Sequence, residues 1–313
     1  MPRRIIIDTD PGIDDAVAIL LALSAPEELE VLGIVAVAGN LPLAQTARNA
    51  RQICELAGRA DVPVYAGCAR PMLRPPAAAG HIHAAGGLGG LALPEPAMPL
   101  QQQHGVDFLI ETLLRAEAAT VTLCALGPLT DIGMALVKAP EIAGRVQELV
   151  VMGGAGFELG NVTPAAEFNI FVDPHAARLV AESGIPITLL PLDVTHQVLS
   201  TPPRIAVLGA LDNRCGPAVA SLLAAFEETR TGKFGPRGMA LHDPCVIAYL
   251  LCPDLFQGRE VNVAIETESA RTLGMTVVDW WGVTGRKANA RFMTMVDADG
   301  VYALLAERLS RLP

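Results

Sequence analysis

Along the chain, short runs of β-branched and aliphatic residues alternate with longer stretches in which apolar positions recur every three or four residues. RIIID (4–8) leads into DDAVAILLALSA (14–25), LEVLGIVAVAG (29–39) into LPLAQTARNARQICELAG (41–58) and VPVYAG (62–67), and TVTLCALG (120–127) into PLTDIGMALVKAP (128–140). ELVVMGG (148–154), DPHAARLVAESG (173–184) and IPITLLPLD (185–193) continue the rhythm. Period two without polar alternation marks strands buried on both faces, and period 3.6 marks the helices that cover them. Strands of that kind separated by helices predict a mainly parallel central sheet wrapped on both sides, a doubly wound α/β fold. Ligands of such sheets sit outside the carboxyl ends of the strands, so the residues just after each strand are the ones to inspect.

Two regions break the alternation. Residues 66–100 are dense in Gly, Pro and Ala, and residues 228–244, ETRTGKFGPRGMALHDP, lead into the apolar helix CVIAYLLC. Loops of that length in a compact chain are commonly functional. They predict flaps near 66–100 and 228–242 over a site. Beyond residue 258, REVNVAIET, GMTVVDWW and ARFMTMVD read as strands and DGVYALLAERLSRL as a closing helix. No repeat or linker divides the chain, so residues 1–313 are expected to form a single domain.

Composition narrows the partners. The chain has 313 residues, half of them hydrophobic, and can bury a large core. A formal net charge of −10 argues against nucleic acid or an anionic membrane surface, both bound through clustered Lys and Arg. No apolar stretch of membrane-spanning length is present, and three isoleucines before the first aspartate are too few for a secretory core, so a cytoplasmic location is expected. Cys54, Cys68, Cys124, Cys215, Cys245 and Cys252 show no CxxC spacing and read as reduced thiols, not as disulfides or a zinc site.

Charge is densest where the first strand ends. IIIDTDPGIDDA places Asp8, Asp10, Asp14 and Asp15 within eight positions. Asp8 and Asp10 share one side of the extended chain, and Asp14 and Asp15 open the following helix. An N-cap and a first-turn acid explain one or two of these, but not four. Carboxylates so close raise each other's pKa, and a divalent cation with all-oxygen ligation, Ca²⁺ or Mg²⁺, removes the cost. The D-x-D-x-T signature of haloacid dehalogenase phosphatases also follows a buried strand, but Gly12 stands where that signature has Thr.

DTDPGIDDA resembles the amino-terminal signature of the nucleoside hydrolases, which cleave the N-glycosidic bond of ribonucleosides. The resemblance continues in order through VAGN (37–40), HIHAAGGLGG (81–90), ALGPLTDI (125–132), VMGGA (151–155), GNVTPAAEFNIFVDPHAA (160–177), LHDP (241–244) and GMTVVDWWG (274–282). It implies one Ca²⁺ per subunit held by Asp10, Asp15, the Leu126 carbonyl and Asp243, with Asp10 also the general base. It further implies ribose contacts from Asp14, Asn40, Asn161, Glu167 and Asn169, packing by Met152 and Phe168, and His242 and His83 facing the leaving base. Asp8, one step deeper than Asp10, is expected to orient it.

These residue types suit the chemistry. Cleavage passes through an oxocarbenium-like sugar and needs an activated water, a grip on the ring hydroxyls and a proton for the departing base. Asn and Glu offer the donors and acceptors that hydroxyls require, and a histidine is the natural acid for a ring nitrogen. Each has a rival reading, Asn40 as a turn residue, Asn161 as turn chemistry, Glu167 as a surface acid and His242-Asp243-Pro244 as a helix cap. Glu167 and Asn169, however, flank Phe168 in an otherwise apolar run, where polar groups need partners. His81 competes with His83, whose neighbour is Ala84 where the family usually has Gly. Trp280, Trp281, Phe226, Lys233, Phe234 and Arg237 are open candidates for contact with the base, with edge packing the rival use of the tryptophans.

Keeping His242 resembles the branch of broad or pyrimidine-leaning specificity (inosine, uridine, cytidine) more than the purine branch. Three alternatives are an N-ribohydrolase for a modified or non-nucleoside N-riboside, the haloacid dehalogenase-type phosphatase, and a non-catalytic nucleoside-binding protein. A homodimer or homotetramer is expected.

Overall fold

A computed structural model of the chain describes residues 1–76, 86–229 and 238–313. The strands are β1 (Arg3–Thr9), β2 (Leu29–Ala36), β3 (Val64–Ala66), β4 (Val121–Ala125), β5 (Val146–Met152), β6 (Ile187–Leu190), β7 (Leu199–Ser200), β8 (Met239–Ala240), β9 (Phe256–Ile265), β10 (Thr276–Asp279) and β11 (Ala290–Val296). Nine of them form one sheet in the order β10-β9-β11-β6-β5-β4-β1-β2-β3. From β3 to β11 every neighbouring pair is parallel, and only β9 runs antiparallel, to both β11 and β10. The mainly parallel, doubly wound sheet expected from the alternation is the one observed.

Alternation along β1 shows how the layers form. Ile5 and Ile7 point into one core, shared with residues of the helices α1 (Ile13–Leu23), α2 (Leu43–Leu56) and five helices from the second half of the chain. Ile6 points into the opposite core, shared with α3 (Gly105–Arg115), α4 (Thr130–Lys138) and, beyond α5 (Phe168–Val172), α6 (Pro174–Ala181). All three isoleucines are fully buried. Period two thus supplies both faces from one short run. Both cores share the one sheet, so the chain is a single domain.

The later helices are α7 (Leu192–Thr195), α8 (Pro202–Gly209), α9 (Cys215–Thr229), α10 (Pro244–Leu251) and α11 (Ala298–Leu309). Five helices, α3, α5, α7, α8 and α9, stand where the sequence pattern assigned none. In α9 the breakers Gly216 and Pro217 lie in the first turn, where proline is tolerated because its missing N–H has no intrahelical partner. α3 is capped by His104, whose Nδ1 accepts from the Val106 N–H at 3.2 Å, and histidine is not among the usual capping signals.

Helix α1 is buried along its whole length, which explains its lack of a polar face. Among the described residues no helix is long and apolar enough to cross a membrane. The six cysteines are free thiols, four of them buried.

Candidate active site

The order β3-β2-β1-β4-β5-β6 reverses direction between β1 and β4, and loops leaving those two strands diverge to open a crevice there. The aspartates of IIIDTDPGIDDA stand at that point. The main chain closes the crevice floor, with the Leu126 N–H after β4 donating to the Asp8 carbonyl at 2.8 Å.

Asp10 is buried between two loop backbones. A Cβ added to Gly39, after β2, would lie 2.1 Å from Asp10 Oδ2, and one added to Gly127, after β4, 2.6 Å from Oδ1. Asp10 Oδ2 accepts the Asn40 N–H at 2.5 Å, whereas Oδ1 is buried with no hydrogen-bond partner among the described residues. Neither glycine is required by its dihedral angles; both are required by proximity. Gly127→Ala is therefore expected to fold normally by circular dichroism yet lose roughly 10²-fold in turnover, the cost of a misplaced reacting group. Turnover near that of the unmodified protein would show that Asp10 tolerates displacement.

Around Asp10 the acids crowd. Asp15 accepts from Thr9 Oγ1 at 2.5 Å and from the Gly12 N–H at 2.9 Å, so it also tethers the start of α1. Asp243 stands just before α10 without a side-chain cap bond, and α10 packs against α1, which brings this distant segment to the cluster. Asp14, Asp15 and Asp243 each offer an oxygen within 4.8 Å of the others, an arrangement able to hold a metal ion. Asp14, expected only as a sugar contact, belongs to this group through its place beside Asp15 in the first turn of α1. Burial pushes Asp10 well above the usual carboxylate range, reinforced by the charge of Asp15. Asp243 is raised by burial and then by the charges of Asp14, Asp15 and Asp10, and Asp15 is raised by burial against the lowering effect of its two donors. So many buried oxygens, one of them an orphan, fit a hard divalent cation.

Asp8 behaves differently from the expectation that it orients Asp10. Like Ile6 it faces the α3–α4 side, where Asp131 in the first turn of α4 acts on it more strongly than Asp10 does. No hydrogen bond joins Asp8 to Asp10, so its influence there is one of charge. Burial is the first cause of both shifts: Asp8 is held well above its ordinary value and Asp131 at about 6. Asp131 also accepts the Cys68 N–H at 2.6 Å.

The sugar-facing candidates gather after β2, β4 and β5. The Asn40 amide lies 3.4 Å from the Asp10 carbonyl and 3.5 Å from Asp15 Oδ2. Asn169 Nδ2 donates to the Leu126 carbonyl at 2.7 Å and to the Met152 carbonyl at 3.1 Å, joining the ends of β4 and β5. The Asn161 Oδ1 accepts the Phe168 N–H at 2.9 Å, and both residues are half-buried. Glu167 is not a surface acid. It is buried, caps α5, and accepts from the main chain of Gly154, Asn169 and Ile170 at 3.1, 3.0 and 3.3 Å. Burial raises it to about 7 in spite of those donors. An ionised carboxylate has about four acceptor positions, so these three bonds leave capacity for one hydroxyl.

His242 is 8% exposed, and its Nδ1 lies 2.8 Å from the Thr195 hydroxyl. The pairing of β7 with β8 and the Leu241 N–H to Val198 carbonyl bond, 2.8 Å, deliver it beside α7. His81 and His83, with Lys233, Phe234 and Arg237, lie outside the described residues, as does the Phe226 side chain. The tryptophans belong to the sheet edge. Trp280 lies 3.7 Å beneath the Arg259 guanidinium and edge-on to Phe157, and Trp281 is 82% exposed. That is the edge packing that competed with a base-stacking role.

A doubly wound sheet with buried carboxylates and a histidine beside its switch point defines an α/β enzyme acting on a small polar ligand. The chain belongs to the inosine-uridine preferring nucleoside hydrolase family, whose model matches residues 5–303. It is thus a glycosidase of the class that hydrolyses N-ribosyl bonds of ribonucleosides. It is 53% identical over 310 residues to an uncharacterized protein of Schizosaccharomyces pombe, covering 99% of this chain and 100% of that one. It is 45% identical over 310 residues to the pyrimidine-specific ribonucleoside hydrolase RihA of Salmonella gallinarum, covering 99% of each. Among solved structures, the purine-preferring ribonucleoside hydrolase from Gardnerella vaginalis superposes with a TM-score of 0.91 at 31% identity, covering 98% of each chain.

Proposed function

We propose that this enzyme is a Ca²⁺-dependent ribonucleoside hydrolase of the uridine, cytidine and inosine type, with a lean toward pyrimidines, that releases ribose and a free base. The observation that carries the reading is the buried cluster of Asp10, Asp14, Asp15 and Asp243 at the switch point, with His242 next to Asp243 in sequence. The pyrimidine preference is supported by the 45% identity to RihA relatives, against 31% to a purine-preferring structure.

Asp10, Asp15, Asp243 and the Leu126 carbonyl are the oxygens proposed to hold the cation, with Asp14 beside them. When bound, the ion supplies Lewis acidity to a water and to the vicinal ribose hydroxyls and offsets the repulsion among the acids. Asp10 Oδ1 accepts the proton of the attacking water while Asn40 holds Oδ2 in place. Asp14, Asn40, Asn161, Glu167 and Asn169 orient the sugar by pairing with its hydroxyls, Met152 and Phe168 exclude water from the ring face, and His242 protonates the base. The flaps expected near 66–100 and 228–242 fall in part on residues 77–85 and 230–237, which lie outside the described residues.

The test is ribose release from uridine, cytidine, inosine, adenosine, guanosine and thymidine, with and without a chelator. Release from the first three, abolished by chelation and restored by Ca²⁺, is the expected result. Chelator-resistant release would remove the metal from the reaction. No release from any substrate would move the activity to a modified or non-nucleoside N-riboside, which needs the same sugar and metal residues.

A further inference from the structure

We propose that Thr195 is a positioning residue for the leaving-group step, its hydroxyl holding Nδ1 of His242 so that the transferable proton is carried on Nε2. This rests on the role of His242 proposed above.

Thr195 ends α7, is fully buried, and makes its side-chain hydrogen bond to His242 Nδ1 at 2.8 Å. A histidine's two nitrogens are distinct, and the one it can give up is decided by what the other is bonded to. With Nδ1–H donated to Oγ1, both nitrogens are protonated in the charged ring. When the C–N bond breaks, its electron pair passes to the base, which takes the proton from Nε2. His242 is left neutral, its remaining proton still on Nδ1 and still donated to Thr195. Thr195 accepts before and after the transfer, so the ring need not turn during the reaction.

The surroundings hold that geometry from two sides. The β7–β8 pair fixes the approach of His242, and a carboxylate of α7 fixes that helix to the loop after β5. Asp193 of α7 accepts the Gly156, Phe157 and Glu158 N–H groups at 2.8, 2.6 and 3.2 Å. Next to Thr195, His196 Nδ1 lies 3.0 Å from Glu158 Oε2, and its ring stands 5.9 Å from that of His242. LDVTH (192–196) thus links the proposed acid to the loop leading into Asn161 and Glu167. Its PLDVTH context signals only a strand end, because the partner of Thr195 lies beyond a long intervening stretch.

The test compares Thr195→Val, which removes the hydroxyl at nearly constant shape, with Thr195→Ser, which retains it. Each is assayed on uridine and on p-nitrophenyl riboside, whose leaving group departs as an anion. Thr195→Val is expected to lower kcat on uridine about 10–100-fold with KM little changed, to leave p-nitrophenyl riboside within about threefold, and Thr195→Ser to recover most of the loss. Equal losses on both substrates, or no loss on uridine, would overturn the proposal. His242→Ala serves as the control. If it is selective for uridine while Thr195→Val is not, the positioning role fails alone; if His242→Ala is not selective, the acid role of His242 fails.

Discussion

Replacing Asp10 by Asn is expected to leave nucleoside binding within a few-fold and to lower kcat by about 10²–10⁴, the usual worth of a positioned proton acceptor. The substitution keeps shape in a site with no room to spare, between Gly39 and Gly127. The amide oxygen can still accept the Asn40 N–H, but the group that replaces Oδ1 can no longer accept a proton. Because proton acceptance matters only as water attacks, the loss falls on kcat and spares KM. Steady-state kinetics on uridine with calorimetric binding under non-turnover conditions would separate the two. Asp10 is also a proposed ligand of the cation, so the assay is run across a range of Ca²⁺. Recovery at high Ca²⁺ would show that the variant had lost the ion and not the base, and turnover close to that of the unmodified enzyme would remove Asp10 from both roles.

The second large effect separates substrates. His242→Ala should lose about 10²–10⁴ in kcat on uridine and inosine while cleaving p-nitrophenyl riboside at nearly the original rate. A nucleobase is a poor leaving group until protonated, whereas the nitrophenolate needs no proton. Parallel losses on both would mean that removing a ring that is 8% exposed had damaged packing around α7 and α10, and would locate the leaving-group proton elsewhere.

The site was legible wherever its residues are local in sequence. Asp10, Asp14 and Asp15 stand where one strand ends and one helix begins, and the alternation of β1 and the first turn of α1 places them together whatever the rest of the chain does. Asn40 and Leu126 were reached through the family resemblance, and each stands at the carboxyl end of a strand beside β1. Less legible was the use each acid has. Glu167 is expected from the resemblance to meet the ribose, and its place beside Phe168 in an apolar run calls for partners, yet its carboxylate is spent mainly on the main chain of α5 and Gly154. Asp8 shares a side with Asp10 in the extended chain, but meets Asp131 across the sheet's other layer. Gly39 and Gly127 carried no signal, since what demands them is a carboxylate from another strand.

By itself the sequence determined the alternation of strand and helix, the parallel sheet that follows from it, and the oxygen-rich donor set at its carboxyl edge. Those depend on periodicity and residue chemistry within a few positions, which a linear pattern contains. Only the tertiary structure decided that β9 runs against its neighbours, that Asp14 stands with Asp15 and Asp243, that two glycines close on Asp10, and that Thr195 meets His242. Each of these is a contact between segments far apart in the chain, set by how crossovers stack and where loops return, and no local pattern carries that information.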